Sequence, residues 1–296
     1  MAPDPDLDGF LDHLRHERRL AVTTVNAYGR DCAALARLAN AGSLRELRGS
    51  DLKRAAAQLH AGGLSPRSLA RMLSSWRALY SWLLRRRAIA SDPCAGLRSP
   101  RAPRRLPSVL SPEEAASLLS VEAAGDEGLA NRALFELAYG SGLRVSELVG
   151  LDLHSIDAAA GEARVTGKGA KTRLVPVGKA ALAALAAWLP TRAQLAHAEE
   201  TALFVGSRGR RLSARDVQRR IKRQGIAAGL ALDVHPHMLR HSFASHVLQS
   251  SGDLRAVQEM LGHASIASTQ VYTHLDFQHL ARVYDAAHPR AKRRAR

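Results

Sequence analysis

Apolar residues recur at steps of three and four along residues 7–87, the spacing that places them on one face of a helix. Turn signals containing glycine divide this stretch into segments that we interpret as four helices. The last segment begins with Ser65, a favourable N-cap, and Pro66, a favourable first helical residue. We therefore predict a helical domain over residues 1–88.

Prolines separate this domain from the rest of the chain. Residues 89–108 contain four prolines and four arginines, so this segment is expected to be extended and semi-rigid instead of helical. The arginines would let it follow a phosphate backbone. We interpret it as a basic linker between two domains, because a chain of 296 residues is near the size at which single cores divide.

Helical periodicity returns after the linker and predicts a second domain over residues 109–285. Its start is marked by Ser111 and Glu114, which form a capping box with Pro112 at the first helical position. Basic residues then close the chain in a tail over residues 286–296.

A single β signal interrupts the helices of the second domain. The segments 162–166 and 172–176 flank the glycine-rich stretch GKGAK and predict a hairpin. This stretch lacks the spacing of a phosphate-binding P-loop and precedes a strand instead of a helix, so we exclude nucleotide binding. The predicted fold class is mainly α, in two domains, with a small β-sheet or hairpin in the C-terminal domain.

The chain is strongly basic, with 43 Lys and Arg residues against 27 Asp and Glu residues and a formal net charge of +16. Such an excess favours a polyanionic partner, and double-stranded DNA is the partner that we predict. A GC-rich coding bias would explain many arginines but not the scarcity of acidic residues. Two helices concentrate the positive charge, and their candidate DNA contacts are Arg67, Arg71, Arg77, Arg215, Arg219, Arg220 and Arg223. A solvated basic face is the alternative for the helix that begins at Ser65.

Composition excludes several other classes of protein. Cys32 and Cys94 have no metal-binding or redox spacing and fit a reducing cytoplasm. No stretch approaches the roughly 20 apolar residues of a membrane span, and the N-terminus lacks the apolar core of a signal peptide. We predict a cytoplasmic protein without a membrane partner.

Six residues carry the candidate chemistry, in the order Arg144, Lys168, His237, Arg240, His263 and Tyr272. Pro236 places His237 in the first turn of a helix, where free N–H groups favour an anion. Arg240 follows three residues later, so the two side chains share one helical face and can converge on a phosphate.

Tyr272 is the candidate nucleophile. A phenol is mostly neutral at pH 7 and attacks weakly until its proton is removed, a proton that His237 is placed to accept. The two arginines would neutralise the phosphate, with His263 as a further donor. Lys168, at the hairpin tip, would protonate the departing DNA oxygen.

We expect neither a metal nor a cofactor. Metal-dependent nucleases hold paired divalent ions with carboxylate clusters, whereas Glu147 stands alone and, three residues from Arg144, is better placed as its orienting ion-pair partner. His237 and His241 have the spacing of zinc ligands, but Arg240 between them would repel the cation. The sequence thus indicates metal-free transesterification, in which a phosphotyrosyl link keeps the energy needed to reseal DNA.

In the motifs GSGLRVSEL, GKG, HMLRH and LGH, and in Tyr272 after them, the chain resembles the tyrosine site-specific recombinases of the phage integrase family. All six expected positions are filled, and the resemblance covers nearly the whole chain. It implies a helical, SAM-like core-binding domain and a catalytic domain that together form a clamp on DNA. It also implies that Tyr272 forms a 3′-phosphotyrosyl link, that Arg144 and Arg240 bind the phosphate, that Lys168 is the general acid, and that the histidines serve proton transfer and phosphate binding.

The C-terminal stretch DFQHLARVYDAAHPRAK is similar to that of the Xer recombinases, which resolve chromosome dimers. This similarity implies a XerD-like partner in a heterotetramer with two copies of each subunit, and an FtsK-like translocase as regulator. It also implies conversion of chromosome and plasmid dimers to monomers at cell division. A mobile-element integrase and a type IB topoisomerase-like enzyme are alternatives with the same chemistry, and a non-catalytic architectural DNA-binding protein is the alternative without it.

Replacing Lys168 with alanine should slow DNA cleavage by about 10²- to 10⁴-fold, because the 5′ oxygen then departs without a proton. A substrate with sulfur in place of that oxygen needs no proton to leave, so it should restore cleavage by Lys168→Ala. The measurement compares the rates of covalent complex formation on the two substrates. If the sulfur substrate does not restore the cleavage rate of Lys168→Ala, Lys168 is not the general acid.

Overall fold

A computed structural model describes residues 4–40, 42–99, 108–121, 124–167, 171–262, 283–284 and 286–287. The chain divides into two compact units, Met1–Arg105 and Leu106–Arg296, and each has a hydrophobic core of its own. The described chain is mainly helical with one small antiparallel sheet in the second unit, which confirms the predicted fold class. Within these ranges, no helix has the length and apolar character of a membrane span.

The N-terminal unit contains the four predicted α-helices. They are α1 Pro5–Asp12, α2 Val22–Ala39, α3 Gly49–Ala61 and α4 Pro66–Arg85, with a π-helical turn at His13–Glu17 and a 3₁₀ turn at Leu44–Glu46. Helix α4 begins as its sequence indicates, because the Ser65 side chain accepts a backbone N–H of the first turn. The inner face of α4 fills the core of the unit with Trp76, Leu79 and Tyr80.

The chain beyond α4 continues to pack on the N-terminal unit. Cys94 is buried in its core, and Ile89 and Leu97 pack against the same cluster. The Arg77 guanidinium, on α4, donates a hydrogen bond of 2.7 Å to the Leu97 carbonyl. The first half of the segment predicted to be a linker thus packs on the N-terminal unit, because burial of its apolar side chains stabilises the folded state. The rest of that segment, residues 100–107, lies outside the described residues.

The second unit is built around one helix that is buried on almost every side. Its described helices are α5 Pro112–Ser120, α6 Gly125–Gly140, α7 Val145–Val149, α8 Lys179–Leu195, α9 Ala214–Ala227, α10 Pro236–Ser251 and α11 Leu254–Leu261. Helix α6 forms the centre, and α8 and α10 pack against it. The predicted capping box of α5 is present, with Ser111 and Glu114 each accepting the other's backbone N–H.

Three antiparallel strands form the sheet, in the order β1 Ile156–Asp157, β2 Glu162–Thr166 and β3 Thr172–Pro176. Strands β2 and β3 are the predicted hairpin, whereas β1 is too short to show an alternating pattern. Val165 lies opposite Arg173 across the β2–β3 pair, and both side chains are buried. The pleat of β3 therefore directs an arginine into the interior of the unit.

Two glycines near α10 differ in the space around them. Gly252, which ends α10, has a φ of +66°, and an added Cβ would meet nothing within 4 Å. Gly142, in the turn before α7, has a φ of +58°, and an added Cβ would overlap the ring of Phe243. Both positions need the left-handed backbone that glycine adopts without strain, but only Gly142 also needs the missing side chain.

Gly142→Ala should therefore lower the free energy of unfolding by about 2 to 5 kcal/mol, the sum of left-handed strain and overpacking. Gly252→Ala is the matched control, and it should cost only about 1 kcal/mol because the strain acts alone. Urea unfolding followed by circular dichroism measures both variants. If both variants lose the same free energy of unfolding, the Phe243 ring moves aside without an energetic penalty.

Candidate active site

Glu147 is the carboxylate around which the candidate site is arranged. Arg144 is the N-cap of α7, and Glu147, three residues later, accepts its backbone N–H at 2.8 Å. The Arg144 guanidinium folds back and donates from Nη1 to Oε1 of the same carboxylate, also at 2.8 Å. Glu147 is only 3% exposed. The ion pair expected from the three-residue spacing is thus present, and one of its members is buried.

Arg173, on β3, is a second partner of this carboxylate and is not among the residues predicted from the sequence. Its Nη1 and Nη2 donate to Oε1 and Oε2 of Glu147 at 2.8 and 3.0 Å, and its Nε donates to the Met260 carbonyl at 3.1 Å. A signal was present in the sequence, because strand alternation places Arg173 on the same face as the buried Val175. A buried guanidinium needs hydrogen-bond acceptors, and an acidic side chain is the acceptor that also balances its charge.

Arg240 is the third guanidinium at the site. Helix α10 carries it, and its Nη1 donates to the Gly142 carbonyl at 2.7 Å while its Nη2 donates to the Leu261 carbonyl at 2.5 Å. Nη1 also lies 3.7 Å from Oε2 of Glu147. The predicted pair of Arg144 and Arg240 is therefore brought together by a shared carboxylate.

His237 lies one turn before Arg240, in the first turn of α10 as predicted. Its ring is exposed and packs edge-on to His235, the N-cap of the helix. Partial burial lowers the pKa of His237, and the neighbouring His235, His241, Arg240 and Arg144 lower it further when they are charged. His237 is therefore neutral at pH 7 and able to accept a proton.

The electrostatics of the site follow from three guanidiniums around one carboxylate. Burial alone would raise the pKa of Glu147, but hydrogen bonds from Arg173 and from the Arg144 backbone, with the Arg173 charge, outweigh it and lower the pKa to about 2. Burial, followed by the charge of Arg144, lowers the pKa of Arg240 to about 10, so it stays protonated at pH 7. The cluster thus carries two excess positive charges, which suit an anionic substrate.

Three of the six predicted catalytic residues cannot be placed in the site. Lys168, His263 and Tyr272 lie outside the described residues. The described chain stops before Lys168 at Gly167, where an added Cβ would be 3.5 Å from Oε1 of Glu147. In the parts of the chain that are described, no group of three or more His, Cys, Asp or Glu side chains could hold a metal ion.

The basic residues of α4 differ in their surroundings. Arg67 is exposed. Arg71 forms an ion pair with the buried Asp31 on α2, and Arg77 holds the Leu97 carbonyl. The acids missing from α4 itself are thus supplied in part by another helix, which the local sequence does not reveal.

The basic residues of α9 are also mostly paired within the protein. Arg219 pairs with Asp216 one turn away, and Arg223 pairs with Glu127 of α6. Arg220 faces the interior, where its Nη1 donates to Asn131 at 3.0 Å, so this candidate DNA contact is an internal contact of the described unit. Arg215 is exposed.

Two family models match the chain. The model of the phage integrase family matches residues 108–279, and the model of the phage integrase N-terminal SAM-like domain matches residues 7–87. Together they span most of both units.

Relatives match from end to end. Tyrosine recombinase XerC 1 of Ralstonia nicotianae is 52% identical, over 99% of this chain and 95% of the relative. Tyrosine recombinase XerC of Pseudomonas aeruginosa is 54% identical, over 98% of this chain and 96% of the relative. The crystal structure of XerH site-specific recombinase bound to difH substrate, a pre-cleavage complex, is similar with a TM-score of 0.65 and 26% identity, over 93% of this chain and 82% of that chain.

These matches confirm the family that the motifs indicated, and they agree with the similarity of the C-terminal sequence to the Xer recombinases. The chain belongs to the phage integrase family of tyrosine recombinases, enzymes that cut and rejoin DNA.

Proposed function

We propose that this protein is the XerC-type subunit of a recombinase that converts chromosome and plasmid dimers to monomers at cell division. It acts in the cytoplasm on double-stranded DNA at a specific site. A XerD-like recombinase joins it in a heterotetramer with two copies of each subunit, and an FtsK-like translocase regulates the assembly. The support for the XerC assignment is identity of 52–54% over nearly the whole chain with relatives of that name.

The chemistry rests on one observation, the cluster of Arg144, Arg173 and Arg240 around the Glu147 carboxylate. Charge develops on the non-bridging oxygens as a phosphodiester is attacked, and cations fixed beforehand stabilise it without reorganising. Arg144 is about one-third exposed, so part of its guanidinium remains available to a phosphate. We assign phosphate binding to Arg144 and Arg240 and an orienting role to Glu147.

The proposed reaction forms one bond and breaks one. The Tyr272 oxygen attacks phosphorus and its proton passes to His237, whose lowered pKa leaves it neutral beforehand. The bond from phosphorus to the 5′ oxygen breaks, and Lys168 supplies the proton that makes a 5′-hydroxyl. His263 donates to the phosphate. The 3′-phosphotyrosyl link conserves the energy of the bond, so rejoining needs no ATP, cofactor or metal.

The alternatives have less support. A mobile-element integrase or a type IB topoisomerase-like enzyme would share the cluster, but the relatives that match end to end are named XerC. An architectural DNA-binding protein does not need guanidiniums that are buried against a carboxylate. Burial of these charges costs free energy, and arginines on the surface can bind DNA without that cost.

Arg67 and Arg215 are the DNA contacts that we propose first, because they are exposed and no ion pair is recorded for either within the described ranges. Arg71, Arg219 and Arg223 would have to exchange an internal acid for a phosphate. Such an exchange lowers the free energy of DNA binding that each contact contributes.

The nucleophile is tested by covalent capture. The protein is incubated with nicked, fragmented chromosomal DNA of its host, and DNA that survives denaturation on the protein is sequenced to give the site. On a synthetic duplex of that site, nicked so that the cleaved end diffuses away, Tyr272→Phe should bind DNA but form no covalent complex. Tyr28→Phe, a partly buried tyrosine of the N-terminal unit, is the control and should react like the unchanged protein.

Two further arms complete this test. A chelator should leave the covalent yield unchanged, and exchange between two intact sites should require addition of a XerD-like protein. A covalent complex formed by Tyr272→Phe would move the nucleophile elsewhere. Exchange without any partner would remove the heterotetramer from the proposal.

Glu147→Gln should lower the free energy of unfolding at pH 7 by about 3 to 5 kcal/mol, because buried guanidiniums lose their counter-charge. The folded pKa of Glu147 is lowered, so its contribution is fully present above the ordinary value of 4.5 and is lost as the pH falls through about 2. The stability gap between the two proteins should therefore narrow below pH 4.5, as measured by urea unfolding.

Asp152→Asn is the control for this change. Asp152 pairs with Arg211 near the surface, so its loss should cost only about 0 to 1 kcal/mol. A gap that stays constant down to pH 3 would show that Glu147 stabilises the fold by packing and not by charge.

A further inference from the structure

We propose that Arg173 is a positioning residue of the cleavage reaction, which holds Glu147 between the two phosphate-binding arginines and ties that carboxylate to the end of α11. This inference rests on the function proposed above. Arg173 is none of the six residues of the family motif. It acts through other groups, because its side chain is only 6% exposed.

The hydrogen bonds of Arg173 fix its place from three directions. Two donors engage both oxygens of Glu147, and the third engages the Met260 carbonyl, so the planar guanidinium leaves little freedom to any of these groups. Only an arginine can make this set of contacts, since a lysine ammonium lacks the rigid fork. The orientation of Glu147 in turn sets that of Arg144, which donates to the same Oε1.

Arg173 also decides the net charge that a phosphate meets. With it, three guanidiniums and one carboxylate leave two positive charges, and without it only one would remain. Glu147 would then neutralise one of the two arginines that bind the phosphate. Arg173 thus lets a carboxylate orient Arg144 and Arg240 without cancelling their combined charge.

Two residues that directly precede proposed catalytic residues also lie close to Arg173. Gly262, which precedes His263, lies so close that an added Cβ would be 3.1 Å from the Arg173 Cδ and Nε. Gly167, which precedes Lys168, would place a Cβ 3.6 Å from Nη1 of Arg173. The Arg173 side chain therefore hydrogen-bonds to Glu147 on α7 and to the end of α11, and it lies near Gly167, which follows β2.

Arg192 offers a matched control in the same unit. It is as buried as Arg173, at 7% exposure for both residues, and it also donates from Nε to a backbone carbonyl, that of Ala202 at 3.0 Å. Its guanidinium donates to the carbonyls of Ala202 and Glu200, neither of which belongs to the Glu147 cluster. A lysine at either position keeps the charge and loses the fork.

The test measures covalent complex formation at saturating protein on the nicked duplex defined above. Arg173→Lys should slow cleavage on the order of 100-fold, the effect of a small misplacement of catalytic groups, with little change in DNA affinity. Arg192→Lys should cleave at nearly the unchanged rate. A duplex with a methylphosphonate at the cleaved position lacks one anionic oxygen, so on it the deficit of Arg173→Lys should shrink by at least about tenfold.

A second variant covers the case in which Arg173→Lys does not fold. Glu147→Gln/Arg173→Gln leaves neither member of the buried pair charged, so it should fold more readily than a variant with one charge unpaired. It should still cleave at least about tenfold more slowly than the unchanged protein, because the fork to Glu147 and Met260 is gone.

The outcomes separate this inference from the proposed function. Cleavage by Arg173→Lys or by the double variant at the unchanged rate would overturn the inference alone. If Arg173→Lys loses the same factor in cleavage rate on the phosphodiester and on the methylphosphonate, and Arg192→Lys shows the same loss, Arg173 has only a structural role. Absence of a covalent complex with the unchanged protein would overturn the proposed function, and the inference with it.

Discussion

The shared carboxylate of Glu147 is the interaction on which the candidate site depends. Like charges repel, and three guanidiniums in one partly desolvated cluster would separate or lose protons without an acid among them. Glu147 binds Arg144 from its own helix, Arg173 from β3 and, at 3.7 Å, Arg240 from α10. A single acid therefore joins three elements that are distant in sequence. The same contacts give the substrate a site with positive charge already in place.

The arginines also complete the backbone of the elements around them. The last carbonyls of a helix have no partner within it, and those of α11 at Met260 and Leu261 accept from Arg173 and Arg240. A cation at that end is favoured by the helix dipole as well. Arg240 further holds the carbonyl of Gly142, in the turn that leads to Arg144. Local helix capping and the assembly of the site are thus one set of hydrogen bonds.

The sequence predicts what depends on neighbours along the chain. Caps at Ser65 and Ser111 and the Arg144–Glu147 pair involve residues three positions apart, and all are present. The pairing of Arg173 with Glu147 spans 26 residues, and that of Arg223 with Glu127 spans 96. Strand periodicity indicates that Arg173 is buried but not which acid it meets, because that depends on how separate elements pack. For the same reason, the basic face predicted on α9 is partly neutralised in the folded unit.

The contacts that form the cluster all lie within one chain. Groups fixed in advance spend no free energy on reorganising when charge develops on the phosphate. Under the proposed mechanism, binding of DNA then has to bring the scissile phosphate to Arg144, whose guanidinium is about one-third exposed, while Arg240 and Arg173 keep their internal partners. Under the same mechanism, the phosphate site is formed by residues of one subunit. Control by the proposed partner subunit would then act on the remaining groups of the proposed mechanism, Lys168 and Tyr272.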